Sequence, residues 1–319
     1  MDRDEQLHAR VAWLYHMEEI TQGEIARRLG LTRLRVNRML AECRSQGIVR
    51  VSLNTRFASC VALERRLCQE FGLAEAVVIP TSGDPGRITA QVGQAAGAFL
   101  SQHIERHGVR NIGVGWGATL REAIRSMDPA PIPDASVVSV MGGLTRGSEL
   151  NTFEIARELA RRLGASCFYL AAPIYAGSPR SRDTILAQDV FADILARIRA
   201  AEVAFLSLGD LSPRSLLIRH GLPPDISVDE LREAGAVGDV LGQFIDRSGR
   251  PVAHPLNRRV VGLPLDQLSR IPAVILAAGG IHKAPVIAAT LHGRLARVLI
   301  SDEATVLAAL DLAPGRTRR

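Results

Sequence analysis

Apolar positions recur every three to four residues at the start of the chain. Leu7, Val11, Leu14 and Tyr15 mark a first helix from about Glu5 to Met17. Thr21 stands where a cap is needed and predicts a second helix over 21–29, which Gly30 ends. Thr32 predicts the cap of a third helix reaching about Gln46, where Gly47 breaks it. The stretch Ile48-Val-Arg-Val-Ser-Leu53 then alternates apolar and polar residues, as a short half-buried strand does. A helix–turn–helix followed by a strand is the outline of a winged unit.

Beyond residue 58 the period changes. A lead-in helix marked by Leu63, Leu67 and Phe71 precedes apolar runs of β character at 76–79, 112–114, 137–140, 167–170, 203–208 and 273–276. Helical stretches lie between them at 88–106, 119–126, 152–163 and 183–199, and the Pro- and Gly-rich stretches 128–134 and 177–182 read as loops. Apolar strands alternating with helices predict an α/β fold with a largely parallel sheet covered on both faces. The expected division is therefore a helical unit over 1–56 and an α/β unit over 57–319, with no internal repeat.

With 47% hydrophobic and 23% charged residues, the 319-residue chain has a globular balance that excludes a disordered or fibrous protein. Its longest apolar stretch, 273–281, falls short of the ~20 residues of a membrane helix and holds two glycines. The opening Met-Asp-Arg-Asp-Glu has no apolar core behind it, so no signal peptide is expected. Cys43, Cys60, Cys68 and Cys167 lack CxxC spacing and read as buried thiols in a reducing cytoplasm.

The net charge of +6 makes an acidic partner plausible without naming it. At 4%, aromatics are too few for a platform that stacks single-stranded bases. The charge is unevenly placed: between Glu19 and Arg56 stand eight arginines against three glutamates, a local excess of +5. Within the third helix Val36, Met39, Leu40 and Cys43 share one face, leaving Arg33, Arg35, Asn37 and Arg38 outward near its N-terminus, where a recognition helix enters the major groove. Arginine bonds guanine bidentately and asparagine bonds adenine, while Thr21, Gln22 and Thr32 suit phosphate contacts at helix starts. A solvated three-helix bundle with an arginine-rich face is the competing reading; the short second helix, the Gly-Leu-Thr turn and the following strand favour double-stranded DNA.

Ile20-Thr-Gln-Gly-Glu-Ile-Ala-Arg-Arg-Leu-Gly-Leu-Thr-Arg-Leu-Arg-Val-Asn-Arg-Met-Leu40, followed by Gly47-Ile-Val-Arg-Val51, resembles the DNA-binding domain of the SorC family of bacterial sugar-responsive transcriptional regulators. Three later motifs agree in order and approximate spacing: Gly113-Val-Gly-Trp-Gly-Ala-Thr119, Gly235-Ala-Val-Gly-Asp-Val-Leu-Gly242 and Ala278-Gly-Gly-Ile-His-Lys-Ala284. The resemblance covers nearly the whole chain. It implies a C-terminal effector domain with a fold like that of ribose-5-phosphate isomerase and glucosamine-6-phosphate deaminase.

Gly115, Trp116, Gly117, Ala118 and Thr119 follow an apolar strand and open a helix, where free N–H groups and the Thr119 hydroxyl suit an anion. A strand-to-helix turn that needs glycine for geometry alone is the competing reading. Lys283, the single lysine beside 38 arginines, follows a strand and the Gly279-Gly280 turn at a helix start. Its compact ammonium suits a small pocket that a planar guanidinium does not. Asp239, among glycines, suits sugar hydroxyls or a helix cap equally. The resemblance implies that Asp239 and Lys283 contact the effector.

Asn151-Thr-Phe-Glu154 reads as a capping box. Met141 stands at a pocket-edge strand end where some relatives place a basic residue, with Arg146 nearby. His254, His282 and His292 have no carboxylate or cysteine at metal-ligand spacing, so neither metal nor cofactor is expected. The leading expectation is a cytoplasmic homodimer or homotetramer that binds a palindromic operator under control of a carbohydrate or sugar-phosphate effector, without membrane association. The effector stays open among pentose, hexose and polyol phosphates, a free polyol and a phosphorylated autoinducer. The alternative is a sugar-phosphate isomerase or deaminase with an accessory helical domain, for which no second motif carboxylate is visible.

Overall fold

A computed structural model describes residues 3–46, 48–49, 57–145 and 150–312. The chain divides into two compact units, residues 1–55 and 56–319. In the first, α1 spans Arg3–His16, α2 Gln22–Leu29 and α3 Arg33–Ser45. The Thr21 hydroxyl accepts the Glu24 N–H at 3.4 Å, Gly30 closes α2 at φ 64°, and the Thr32 hydroxyl accepts the Arg35 N–H at 3.2 Å. These caps set the three-residue turn between α2 and α3. Val11, Ile25, Ala26, Val36, Met39 and Leu40 form the unit's core. The Ile48–Leu53 strand expectation falls mostly on residues 50–53, outside the described residues; Ile48 and Val49 form a bend.

The second unit begins with α4 (Ala58–Phe71), β1 (Glu75–Ile79), α5 (Ile88–His107), β2 (Asn111–Val114) and α6 (Ala118–Ser126). Next come β3 (Ser136–Ser139), α7 (Thr152–Leu163), β4 (Ser166–Phe168), α8 (Pro179–Leu186) and α9 (Asp189–Arg199). The chain continues through β5 (Val203–Leu206), β6 (Leu208–Gly209), α10 (Leu216–His220), α11 (Val228–Glu233), β7 (Gly238–Val240) and β8 (Gln243–Ile245). It finishes with α12 (Leu265–Leu268), β9 (Ala273–Ala277), α13 (Ala284–His292), β10 (Val298–Asp302) and α14 (Glu303–Asp311).

Seven parallel strands form the main sheet in the order β1-β10-β9-β5-β2-β3-β4. The alternation of strand side chains divides the core in two. On β5, Val203 and Phe205 join Leu100, Leu120 and Leu159 on one face, while Ala204 and Leu206 join Val286, Ile287 and Val306 on the other. Strands β2, β3 and β4 extend the sheet one way and β9, β10 and β1 the other, so the winding direction reverses between β2 and β5. In open α/β sheets ligands bind beyond the carboxyl ends of strands at such a reversal. A small antiparallel sheet, β6-β7-β8, stands beside it.

Some expectations are corrected. The helix expected over 183–199 is two helices, because Gln188 takes an extended conformation between them. Part of the loop expected over 177–182 is helical: the Ser178 hydroxyl accepts the Ser181 N–H and Pro179 occupies the first turn of α8. The run 203–208 is shared between two sheets. Cys68 and Cys167 are only half-buried, unlike Cys43 and Cys60.

Candidate functional site

Beyond the ends of β2, β5 and β9 lies a cavity of about 150 Å³, lined by Trp116, Gly117, Ala118, Asp210, Asp239 and Lys283 among others. From β2, the Gly115 N–H donates to the Phe205 carbonyl at 3.0 Å, tying the turn to β5. Gly117 then takes φ 118°, a conformation closed to residues with a Cβ, and α6 starts without a side-chain cap. The first N–H groups of α6 therefore stand at the cavity with no capping acceptor. Gly115 and Thr119, expected in the pocket, do not line it. Thr119 is buried, and Gly115 faces Leu206 and Leu241.

Asp239 reaches the cavity from β7, paired in register with Gly209 of β6. Its Oδ2 accepts the Gly242 N–H at 2.9 Å, holding the two-residue turn Leu241-Gly242 between β7 and β8. Its buried Oδ1 has no hydrogen-bond partner among the described residues. Burial pushes the Asp239 carboxyl up to about 6; the Gly242 N–H and Lys283 oppose this, and Asp210 adds to it.

The Gly280 N–H is held by Asp302 Oδ1 at 2.9 Å and by the Thr305 hydroxyl at 2.8 Å. Asp302 Oδ2 also accepts the Thr81 hydroxyl at 3.1 Å and the Thr305 N–H at 3.2 Å. This network, unrecognised in the sequence, fixes the turn that presents Lys283, whose N–H closes on the Gly280 carbonyl at 2.8 Å. Desolvation draws the Lys283 ammonium below its ordinary pKa, opposed by Asp210 and then Asp239.

Sequence reasoning missed much of the lining, including Ser207, Ser215, His282 and, among the acids, Asp210. Asp210 is 5% exposed and forms no hydrogen bond or ion pair among the described residues. No motif flags it; only the apposition of β6 and β7 brings it beside Asp239 and Lys283. Arg214 and Arg219 stand exposed at the rim.

Two further expectations change. Asn151 precedes α7 but makes no side-chain cap. Its Oδ1 accepts the Leu144 N–H at 3.1 Å and its Nδ2 donates to the Leu144 carbonyl at 3.0 Å, so it clamps the segment after β3. Met141 is fully buried and pairs with Gly262 instead of edging the cavity; Arg146 lies outside the described residues.

In the helical unit, Arg33, Arg35, Asn37 and Arg38 are exposed on α3, opposite Val36, Met39, Leu40 and Cys43. Thr21 and Gln22 share an open groove with Arg33, whereas Thr32 and Arg35 line a second one. Arg38 donates from Nε to Glu42 Oε1 at 3.1 Å, and Glu42 Oε2 lies 2.8 Å from His8 Nε2. That hydrogen bond to Glu42 raises the His8 pKa and joins α1 to α3. No helix among the described residues is long and apolar enough to cross a membrane.

Residues 55–311 match the family described as "Putative sugar-binding domain" (Sugar-bind). The chain is 30% identical over 317 residues to the erythritol catabolism regulatory protein EryD of Brucella abortus, covering 99% of each chain. It is 33% identical over 312 residues to the transcriptional regulator LsrR of Escherichia coli, covering 96% of this chain and 95% of that one. The full-length sorbitol operon regulator SorC of Klebsiella pneumoniae superposes with a TM-score of 0.72 at 25% identity, over 97% of this chain and 100% of that one. Near-complete coverage by regulators, together with the family match across the α/β unit, places the chain in the SorC family of sugar-binding transcriptional regulators.

Proposed function

We propose that the chain is a transcriptional regulator in which residues 1–56 bind double-stranded operator DNA and residues 57–319 bind a small phosphorylated sugar or polyol. In this reading the helical unit is a winged helix-turn-helix, and the α/β unit is akin to ribose-5-phosphate isomerase and glucosamine-6-phosphate deaminase. Arg33, Arg35, Asn37 and Arg38 face base edges, and Thr21, Gln22 and Thr32 face phosphates.

The cavity carries the effector half of the proposal. An uncapped helix N-terminus and Lys283 suit an anion, while Asp239 Oδ1 is a buried acceptor without a donor. Such a site suits a molecule with a phosphate at one end and hydroxyls at the other. Its volume of about 150 Å³ lies below the ~300 Å³ typical of pockets for drug-sized ligands, which favours a short carbon chain. The Brucella relative named for erythritol catabolism supports the polyol end of that class. Effector binding shifts a homodimer or homotetramer between two arrangements that differ in operator affinity. The two acids serve as ligand-binding groups and not as a catalytic pair, because the relatives that match nearly the full chain are named regulators.

A thermal-shift screen of matched phosphorylated and free sugars and polyols, on wild type and Lys283→Ala, tests the pocket. At a hundredfold excess over Kd the effector stabilises by ~2.7 kcal/mol, raising the melting temperature of this unit by roughly 5 °C or more. The rise is phosphate-selective and absent from the variant. Stabilisation by free sugars alone, or equally in Lys283→Ala, removes Lys283 as the phosphate ligand. A gel-shift with the DNA upstream of its own operon tests the other half: no complex at low salt, with or without sugar phosphates, refutes it.

A further inference from the structure

The stripe of α3 that projects farthest from the core is not wholly polar. At ~100° per residue, Leu34, Asn37, Arg38 and Ala41 fall within a sector of about 100°, opposite Val36, Met39, Leu40 and Cys43. All four are exposed, and Leu34 is 80% exposed. A single apolar side chain on a surface needs no explanation. Here, however, the leucine is the second residue of the helix, flanked by Arg33 and Arg35 and neighboured one turn on by Asn37 and Arg38. Those are groups that seek phosphates and hydrogen-bonding base edges. In the major groove, the apolar feature among those edges is the C5-methyl of thymine.

Resting on the DNA-binding reading above, we propose that Leu34 reads sequence by packing its isobutyl group on the C5-methyl of one thymine in each operator half-site. Asn37 and Arg38 lie ~4.5 and ~6 Å farther along the helix, so this thymine stands within about two base pairs of the bases they bond. The three arginines hold the helix in the groove, and Leu34 loses its water only against a methyl-bearing pair. A cytosine or uracil at that position leaves the leucine facing the groove without an apolar partner. The contact thus contributes discrimination that no hydrogen-bond donor on the helix supplies.

The test selects an operator from a random duplex library with the full chain, then replaces each thymine in turn by deoxyuridine, which removes only the methyl. Affinities of wild type and Leu34→Ala are measured at one fixed salt concentration. In wild type, one thymine per half-site shows a loss of about fourfold on replacement, the value of one buried methyl-sized group. In Leu34→Ala the same replacement has no further effect, while the melting temperature matches wild type because the side chain is exposed. An operator tolerant of deoxyuridine at every position, or a penalty that persists in Leu34→Ala, overturns the assignment while leaving DNA binding intact. Failure to select any duplex overturns the DNA-binding reading itself, and this inference with it.

Discussion

Gly209 and Asp239 face each other across the β6–β7 pair so closely that a methyl group on Gly209 would stand 1.9 Å from Asp239 Oδ1. The Asp239 oxygen without a partner among the described residues thus owes its position to the absence of a side chain on the neighbouring strand.

Gly209→Ala is expected to displace the Asp239 carboxylate and abolish effector-induced stabilisation. The forced shift costs about 1–3 kcal/mol without ligand. Chemical denaturation gives the first quantity and the thermal-shift assay the second; a full effector response in Gly209→Ala would contradict this account.

The Asp239 carboxyl also makes stability depend on pH. Burial raises it from 3.8 to about 6, so the native state binds this proton more tightly than the unfolded chain does. Its favourable contribution is complete below about pH 4 and is lost as the pH rises to about 6. Asp239→Asn removes that dependence. The variant is expected to exceed wild type by roughly 3 kcal/mol at pH 8, with the gap closing towards pH 4. Urea denaturation of both proteins across this range checks the sign; a gap that widens on acidification refutes it.

Asn151 supports the segment after β3 by bonding both backbone groups of Leu144, not by capping α7. Asn151→Ala leaves these groups unmet and is expected to cost about 2–4 kcal/mol. Asn151→Ser separates the two roles, since serine is a good N-cap but cannot reproduce the paired bonds. Nearly equal loss in both variants supports the clamp, and rescue by serine restores the capping reading.

On the DNA side, Gln22→Ala is expected to weaken operator and non-specific duplexes by the same factor, as loss of a phosphate contact does. Asn37→Ala is expected to cost about 1–3 kcal/mol at the operator alone and to relax discrimination at one adenine. Fluorescence anisotropy over a salt series, with operator and scrambled duplexes, distinguishes the two. Identical behaviour of the variants would remove the division between phosphate contacts at the start of α2 and base contacts on α3.

Local pattern went a long way in this chain. The caps at Thr21 and Thr32, the stop at Gly30 and the helix Thr152–Leu163 are all readable from neighbouring residues, because caps and helical periodicity act within a few positions. The apolar runs that became β1, β2, β3 and β9 are readable for the same reason. The break between α8 and α9 is not, since the apolar period continues across Gln188 while its backbone leaves the helix. Strand β10 went unmarked although it is as long as β1 and β9; its Val-Leu-Ile run passes at once into Ser301 and Asp302, and Asp302 caps α14.

The cavity divides along the same line. Lys283, Asp239 and the Gly115–Thr119 turn stand out in sequence because composition and motif mark them. Asp210, Gly209 and the Thr81–Asp302–Thr305 network carry no such mark. They matter through pairing between strands, as in the contact of Gly209 with Asp239, or across more than two hundred residues, as in that of Thr81 with Asp302. Element identity is a local property of backbone and side-chain periodicity, so a linear reading reaches it. Which buried carboxylate lacks a partner, and which glycine makes room for it, depends on distances that exist only once the sheets have paired.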